Sequence, residues 1–511
     1  MAGIARLSAR RAPDWAWVGL AAFAAALALR LTGIGSRDVW LDEAYSQFAI
    51  SRDWAGLVAD RVRAGHSPLY FGLMKALAVD PANLLALRRI SAGLDAAAAG
   101  VLAAGLTRYV GLRAGLLAAA LYTVSPAHVH WAQNARPYGL LMLFTATGLV
   151  GAMGLADGIG RARPDRDARL PQLLFALGWS GAALTLAGGI VACLAVVLLP
   201  WLPGMRRGPM GDTAFRRRWR RAAVAPVLAA LAVFALVSRA HVAERIGNYW
   251  LEEDRPFGAA SLVWLVEELV AGRARHLTLP YRALDGAWET GAVLAAMALL
   301  LALAALGAWR SRGRPAVLPV IGLGVGFSLL LLLTSLSTSL LIDRYFTPGW
   351  MGLLALAGIG LATLRGPAMA VLLCPLLVIG AEAGKVAATA PYGPRAEGPQ
   401  RLAQIIEASP HAQAPVLVDP ARATRIQMEM MLLRLDAPAL PRPDIVPLRG
   451  VATLAAERDR GGPVYLVLRA ADWRARDAAA LPDGTCRHRD GGWVLVFTGA
   501  PCPDPLRPGG R

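Results

Sequence analysis

The chain has 511 residues, of which 56% are hydrophobic and only 17% are charged, and its mean hydropathy is +0.45. These values exclude an ordinary soluble globular protein, and no glycine period, sustained heptad or disulfide-rich spacing indicates a fibrous or cysteine-stabilised chain. A total of 53 Lys and Arg against 35 Asp and Glu gives a net charge of +18. In a soluble domain this charge would indicate nucleic acid, but membrane topology explains it better, and we expect no nucleic-acid partner.

Apolar segments that approach or reach bilayer-spanning length recur over residues 1–385. The first, 15–33, follows a basic start and has no clear cleavage pattern, so we interpret it as an anchor with a cytoplasmic N-terminus. The sequence therefore predicts a multi-pass α-helical membrane module with about eleven transmembrane helices. The other predicted spans are 84–106, 114–127, 137–156, 171–187, 189–203, 222–239, 288–309, 316–336, 346–364 and 367–385.

The side of the membrane follows from arginines that occupy alternate connections, with the densest run at 206–221. The positive-inside rule places these connections in the cytoplasm, against the anionic membrane lipids. The opposite face receives a first outer loop at 34–83 and a second long outer loop at 240–287. In a bacterial cell this topology predicts an inner-membrane protein whose long loops face the periplasm.

The C-terminal segment 386–511 follows an odd number of spans, so it is predicted to be a small periplasmic α/β domain. Strand-like runs at 416–420, 464–470 and 493–499 alternate with stretches of helical composition. A Pro/Gly-rich linker at 391–399 precedes them. Two cysteines of this segment lie close together in the sequence, and both a disulfide and free thiols are open alternatives for them: Cys486 and Cys502.

The segment DVWLDEAYSQFAI, 38–50, places Asp42 and Glu43 directly after the first span. A carboxylate at the water–lipid boundary can accept the proton of an incoming hydroxyl, although charged residues also commonly end a span. Aromatic residues interleave with charges in the same loop and predict short amphipathic helices in the interface. Such a surface suits an amphiphilic substrate, which favours the functional interpretation.

Three further outer segments carry candidate cationic side chains. His66 lies in AGHSPLYFGLMKAL, Arg136 in SPAHVHWAQNARPYGLL and Arg344 in SLSTSLLIDRYFTPGW. The two arginines run against the topology bias, and the planar fork of a guanidinium suits a phosphate. The alternatives are a histidine that only ends a loop and an arginine that pairs with its neighbour Asp343.

The ordered motifs WLDEAYS, HSPLYFGL, SPAHVHWAQNARPYGLL and DRYFTP resemble those of the integral-membrane glycosyltransferases of the GT-C fold. The similar proteins are the protein mannosyltransferases of glycosyltransferase family 39 and their relatives, including lipid A aminoarabinose transferases and rhizobial lipopolysaccharide galacturonosyltransferases. The resemblance implies a polyprenyl-phosphate-linked sugar donor, an active site on the extracytoplasmic face, and a glycan, lipid or protein acceptor.

Position by position, the resemblance implies that Asp42 is the general base and that Glu43 orients the acceptor or supports the base. It implies donor phosphate or sugar contacts for five residues, namely His66, Arg136, Tyr138, Arg344 and Tyr345. The chain departs from its relatives at Asn134, where they often carry Glu. A second acidic contact is therefore not expected at that position.

A single carboxylate base implies direct displacement, and hence an inverting glycosyltransferase. We expect no cofactor, because cationic side chains are available for the phosphate, while a divalent metal stays open to a chelation test. The alternatives are a polytopic lipid-sugar transporter or flippase and a non-catalytic scaffold. A transporter predicts broken helices and mid-membrane charges, whereas the candidate charges here lie at the outer boundary.

Overall fold

The structure is a computed structural model that describes most of the helical part of the chain and the strands of the C-terminal part. The described residues are 14–35, 41–159, 165–207, 209–238, 256–272, 287–370, 372–373, 402, 405–418, 445–447, 462–469, 486–490, 493–498 and 502. The predicted N-terminal basic start, the linker at 391–399 and most of the predicted span at 367–385 lie outside these residues.

The described residues before 208 form eleven α-helices. They are α1 (Asp14–Leu31), α2 (Leu41–Ser51), α3 (Trp54–Arg63), α4 (Leu69–Ala76), α5 (Leu84–Tyr109), α6 (Leu112–Val124), α7 (Pro126–Ala132), α8 (Tyr138–Asp157), α9 (Asp165–Thr185), α10 (Ala187–Val197) and α11 (Pro203–Arg207). The later helices are α12 (Thr213–Val233), α13 (Ala259–Ala271), α14 (Ala287–Arg310), α15 (Pro315–Thr334, with a π-helical stretch) and α16 (Asp343–Ala362).

Seven helices of the described part are long and apolar enough to cross a membrane. They are α1, α5, α8, α12, α14, α15 and α16, while α6 and the segment Ala187–Trp201 are shorter apolar helices. Each predicted span up to residue 364 coincides with a helix, including 171–187, which falls on α9. The chain is therefore a multi-pass helical membrane protein, and the total number of its spans stays a prediction.

The first outer loop contains the predicted short helices, which are α2, α3 and α4. Local capping explains two of the helix starts: Asp53 accepts a hydrogen bond from the N–H of Gly56, and Asn83 accepts one from the N–H of Ala86. Lys75 on α4 donates to the carbonyl of Ile50 at 3.2 Å and so ties α4 to the end of α2. These contacts hold the short helices of the loop in a defined arrangement.

Small residues let the spans pack closely, which matters because apolar side chains gain little by leaving lipid for protein. Gly178 on α9 faces Gly148 on α8, and a Cβ at Gly178 would lie 2.1 Å from the Gly148 nitrogen. Gly139 at the start of α8 approaches α5, where a Cβ would lie 2.3 Å from the Ser91 carbonyl oxygen. Both positions require glycine because the neighbouring backbone occupies the space of a side chain.

The C-terminal part forms one five-stranded sheet in the order β2-β1-β3-β5-β4. Its strands are β1 (Val416–Val418), β2 (Ile445–Pro447), β3 (Val464–Arg469), β4 (Cys486–Asp490) and β5 (Trp493–Thr498). The pairs β1–β2 and β1–β3 are parallel, whereas β3–β5 and β4–β5 are antiparallel. The three predicted strands are confirmed as β1, β3 and β5, and a disulfide joins Cys486 to Cys502.

A single apolar cluster joins this sheet to the first outer loop. Tyr70, Phe71 and Met74 of α4 belong to it together with Val416 of β1 and Phe497 of β5, and all five are buried. The sheet and the loop therefore lie on the same side of the helical bundle. The predicted domain boundary at 385/386 lies outside the described residues and stays a prediction.

The α8–α9 contact generates a test of helix packing. We expect Gly178→Ala to lower the free energy of unfolding by about 2 kcal/mol, because the added methyl group overpacks a backbone contact. Thermal unfolding of the purified protein in detergent measures this change. Gly188→Ala is the control, because a Cβ there meets nothing within 4 Å; equal effects of the two substitutions would contradict the packing argument.

Candidate active site

Asp42, Arg136 and Arg344 come together at the outer end of the bundle. The Arg344 Nη1 atom lies 3.3 Å from the Asp42 Oδ2 atom, and the Arg136 Nη2 atom lies 3.8 Å from the same oxygen. The Asp42 side chain is 25% exposed, while both guanidinium groups are largely buried. Residues from three distant segments thus form one ionic cluster in which the carboxylate is the accessible member.

Arg136 lies in the turn between α7 and α8, where it is 3% exposed. Its Nη1 atom donates to the Asp42 carbonyl oxygen at 3.2 Å and to the Ser46 hydroxyl at 3.5 Å. Its guanidinium also lies 6.0 Å from the ring centre of Phe71 on α4. The buried Nε atom of Arg136 has no hydrogen-bond acceptor among the described residues. One donor of this guanidinium is therefore unsatisfied by the described residues.

Two tyrosines complete the group at this site. The guanidinium of Arg344 lies 5.2 Å from the ring centre of the adjacent Tyr345. The Tyr138 ring, at the start of α8, lies 4.7 Å from the ring of Trp131, whose indole N–H donates to Asp343 beside Arg344. The structure thus brings together Asp42 and four of the five residues that were predicted to bind the donor phosphate or sugar.

Glu43 occupies a different environment from its neighbour Asp42. It is fully buried and accepts two hydrogen bonds from Arg88 on α5, at 2.8 and 2.6 Å. Its Oε1 atom also accepts the backbone N–H of Ala135 at 2.9 Å. Glu43 therefore anchors α2 to α5 and to the turn that carries Arg136, so its geometry is that of a positioning residue. The sequence interpretation missed Arg88, although a charged residue inside an apolar span was its signal.

His66 lies in the turn between α3 and α4, where its backbone N–H donates to the Arg61 carbonyl at 2.8 Å. The next residue, Ser67, donates its hydroxyl to the carbonyl of Leu184 near the end of α9. These contacts fix the turn against the bundle, and phosphate binding by His66 stays a prediction. Asn134, the departure from the family pattern, is buried and donates to the His130 carbonyl at 2.8 Å.

A second buried polar network joins α1, α5, α6, α7 and α16 next to the site. Arg30 at the end of α1 pairs with Asp95 on α5 at 2.6 Å, and the Tyr122 hydroxyl donates to the same carboxylate at 3.0 Å. The His128 ring lies 4.2 Å from the Tyr122 ring, and its nitrogens contact the Ser125 hydroxyl at 3.0 Å and the Thr347 carbonyl at 3.3 Å. These contacts fix α7 between the early spans and α16.

Among the described residues, no group of three or more His, Cys, Asp or Glu is arranged to hold a metal ion. The cationic charge at the site comes from arginine side chains. Guanidinium groups can meet a phosphate with two parallel hydrogen bonds. The arrangement is therefore suited to an anionic group that arrives beside an accessible carboxylate.

The Glu43–Arg88 pair generates a stability prediction. Arg88→Met leaves the buried Glu43 carboxylate without its guanidinium, so we expect a loss of about 3 kcal/mol in the free energy of unfolding. The double substitution Arg88→Met with Glu43→Leu removes both charges and is expected to regain most of that loss. Thermal unfolding checks both variants. A double variant that is less stable than Arg88→Met would contradict the assignment.

His128 generates a prediction for pH dependence. Burial, with a smaller contribution from the nearby Arg30, lowers the pKa of His128 from 6.5 to about 3. Below pH 6.5 the imidazole is protonated in the unfolded chain but stays neutral in the native state. The contribution of His128 to the free energy of unfolding is therefore fully present above that pH and falls as the pH drops. At pH 5 the loss from this group is about 2 kcal/mol. The unfolding temperature of wild type should fall more between pH 7.5 and 5 than that of His128→Asn; equal shifts would contradict it.

The fold of the chain is similar to that of solved structures. No family model and no curated protein matches the sequence. Among solved structures, the lipid A aminoarabinose transferase ArnT from Cupriavidus metallidurans, in its apo state, superposes with a TM-score of 0.59 at 16% identity. The match covers 95% of this chain and 98% of ArnT.

A second similar structure is the oligosaccharyltransferase AglB from Archaeoglobus fulgidus, in complex with an inhibitory peptide and a dolichol-phosphate. Its TM-score is 0.52 at 12% identity, and the match covers 97% of this chain and 76% of AglB. Both solved structures are glycosyltransferases of the GT-C fold. The identities are low and the coverage is nearly complete, so the comparison establishes the fold: this chain has the GT-C fold of membrane glycosyltransferases.

Proposed function

We propose that the protein is an inverting glycosyltransferase that moves a sugar from a polyprenyl-phosphate donor to a hydroxyl acceptor. The observation that carries this proposal is the ionic cluster of Asp42 with Arg136 and Arg344. Transfer from a lipid phosphate requires a base for the acceptor hydroxyl and a cationic site for the departing phosphate. The cluster contains both components, since the two guanidinium groups lie within 3.8 Å of the Asp42 carboxylate.

The exposures of the three side chains support a division of roles. The Asp42 side chain is 25% exposed and so is open to an incoming hydroxyl, whereas the Arg136 and Arg344 side chains are 4% and 11% exposed. In the substrate-free protein the Asp42 carboxylate is the anion that pairs with both arginines. A donor phosphodiester carries one negative charge, as the carboxylate does, and gains a second as the sugar–oxygen bond breaks, so it competes for the arginines and releases Asp42. The Nε atom of Arg136 has no acceptor among the described residues, and we propose that it donates to that phosphate once Asp42 is released.

The reaction then follows as a single displacement. Asp42 accepts the proton of the acceptor hydroxyl while the hydroxyl oxygen forms a bond to the anomeric carbon of the donor sugar. The bond from that carbon to the phosphate oxygen breaks, and polyprenyl phosphate leaves with the electron pair. Arg136 and Arg344 stabilise the charge that develops on the phosphate. Attack and departure on opposite faces invert the anomeric centre, so a β-linked donor yields an α-linked product.

The similar structures support the class of donor. AglB was solved with a dolichol-phosphate, which is a lipid phosphate of the class proposed here. ArnT is a lipid A aminoarabinose transferase, so its acceptor is a glycolipid. For this chain we propose a polyprenyl-phosphate-linked sugar as donor and a glycan, lipid or protein hydroxyl as acceptor. His66 and the two tyrosines at the site, Tyr138 and Tyr345, are proposed to contact the donor head group.

We further propose that the reaction takes place at the periplasmic face of a bacterial inner membrane. The clustered arginines at 206–221 favour a cytoplasmic location for the opposite end of the bundle. The Cys486–Cys502 disulfide supports an oxidising compartment for the sheet, which lies on the side of the first outer loop. These two observations agree on the side to which Asp42 is exposed.

The test replaces the proposed base and follows the product in cells. We expect Asp42→Asn to reduce sugar transfer by about a thousandfold, since the amide cannot accept the proton. Envelope glycans from cells that lack the protein are compared by mass spectrometry after rescue with wild type or variant at equal membrane abundance. Asp80→Asn is the matched control, because Asp80 lies in the same loop, is exposed, and its carboxylate accepts a local turn hydrogen bond from the N–H of Ala82.

A sugar mass that is restored by wild type and Asp80→Asn, and not by Asp42→Asn, is the expected result. Its fragmentation identifies the sugar and the acceptor class. Full rescue by Asp42→Asn would overturn the assignment of the base and favour a lipid-sugar transporter. Transfer that chelation abolishes and one metal restores would overturn the proposal that arginines alone meet the phosphate.

A further inference from the structure

The second long outer loop contributes one described helix, α13, which carries two adjacent buried carboxylates. Glu267 and Glu268 are each 1% exposed, and α13 packs beside α7, α14 and α16. A buried carboxylate is costly unless donors satisfy it. The two neighbours meet different partners: Glu267 accepts a hydrogen bond from the Thr290 hydroxyl on α14 at 3.3 Å, whereas Glu268 faces α16.

Glu268 caps the start of α16 from outside that helix. Its Oε2 atom accepts the backbone N–H of Asp343 at 3.2 Å. Asp343 is the first residue of α16, and a first-turn N–H has no acceptor within its own helix. The residue before it, Ile342, contributes no side-chain cap. A carboxylate from the second outer loop therefore supplies the acceptor that the local sequence lacks.

The Asp343 side chain fixes the same turn from two other directions. Its Oδ2 atom accepts the indole N–H of Trp131 on α7 at 2.8 Å, and its Oδ1 atom accepts the backbone N–H of Arg344 at 2.7 Å. Arg344 is the next residue, and its guanidinium reaches Asp42 at 3.3 Å. The direction of the Arg344 side chain thus depends on a turn that α13 and α7 hold in place.

We propose that Glu268 is a positioning residue that sets Arg344 for the donor phosphate, which makes the second outer loop a structural part of the phosphate site. This inference rests on the proposed function. Arg344 has a long side chain, so a small rotation of the first turn of α16 moves its guanidinium by a larger distance. Small displacements of this kind are expensive for a phosphate that requires two parallel hydrogen bonds.

The experiment measures binding of undecaprenyl phosphate, the leaving group shared by donors of this class, to the full-length protein in lipid nanodiscs. We expect Glu268→Ala to weaken binding by about tenfold, because the N–H of Asp343 loses its acceptor. Glu268→Gln keeps an acceptor oxygen and is expected to bind within about threefold of wild type. Glu267→Ala, on the same helix and equally buried, is the matched control and should bind as wild type does.

A double-mutant cycle separates positioning from general loss of structure. If Glu268 acts through Arg344, then adding Glu268→Ala to Arg344→Gln weakens binding by less than about twofold beyond Arg344→Gln alone. Losses that multiply in full, or a Glu267→Ala variant as weak as Glu268→Ala, would overturn the positioning role while the proposed function stands. Absence of wild-type binding to undecaprenyl phosphate would overturn the proposed function, and the inference with it.

Discussion

The outer end of the bundle depends on the buried ion pair between Glu43 and Arg88. A buried charge is tolerated in a low-dielectric environment only when a partner and further hydrogen bonds satisfy it. Glu43 meets this condition because its carboxylate accepts hydrogen bonds from the Nε and Nη2 atoms of Arg88 and from the backbone N–H of Ala135. One side chain therefore joins α2, α5 and the turn before α8. This junction fixes the backbone next to Asp42 and Arg136 and so sets the positions of both residues, although neither side chain takes part in it.

The adjacent carboxylates Asp42 and Glu43 show how one motif can serve two physical tasks. On a helix, consecutive residues point in directions about 100° apart. Glu43 consequently faces the interior, whereas Asp42 faces the partly exposed cluster with the two arginines. An asymmetry of this kind makes the acidic pair interpretable: the buried member supplies rigidity, and the accessible member is free to exchange partners when an anion arrives.

Much of the architecture could be predicted from the sequence because hydrophobicity is a local signal. The spans, the short helices of the first outer loop and strands β1, β3 and β5 follow from periodicity and composition. Strands β2 and β4 escaped prediction, since β2 reads IVP, whose proline argues against a strand, and β4 reads CRHRD, which has no strand-like hydrophobic alternation. Their places follow from pairing with β1 and β5, and pairing is a non-local property.

The candidate site was predictable in part for the same reason. Motif order indicated Asp42, Arg136 and Arg344, and the structure brings these three together. The pairings that hold them were not predictable: the position of Arg88 inside an apolar span marks the residue but does not identify Glu43 as its partner, and Glu268 lies in a loop with no matching motif. Each partner acts on a residue at least 45 positions away in the chain, since Glu268 contacts Asp343 and Arg88 contacts Glu43. Composition and spacing carry no record of such contacts.

The apolar cluster shared by the first outer loop and the C-terminal sheet affects how the protein is made. The loop that carries Asp42 leaves the ribosome before most of the spans, whereas Val416 and Phe497, which pack in the same cluster as Tyr70, are synthesised after the last described span. Contacts between such distant parts of a chain form late in folding because a long intervening segment must first be ordered. The loop therefore completes its packing only after the spans are inserted and the sheet has formed. Biosynthesis thus delays the packing of this loop until the strands of the sheet have been synthesised.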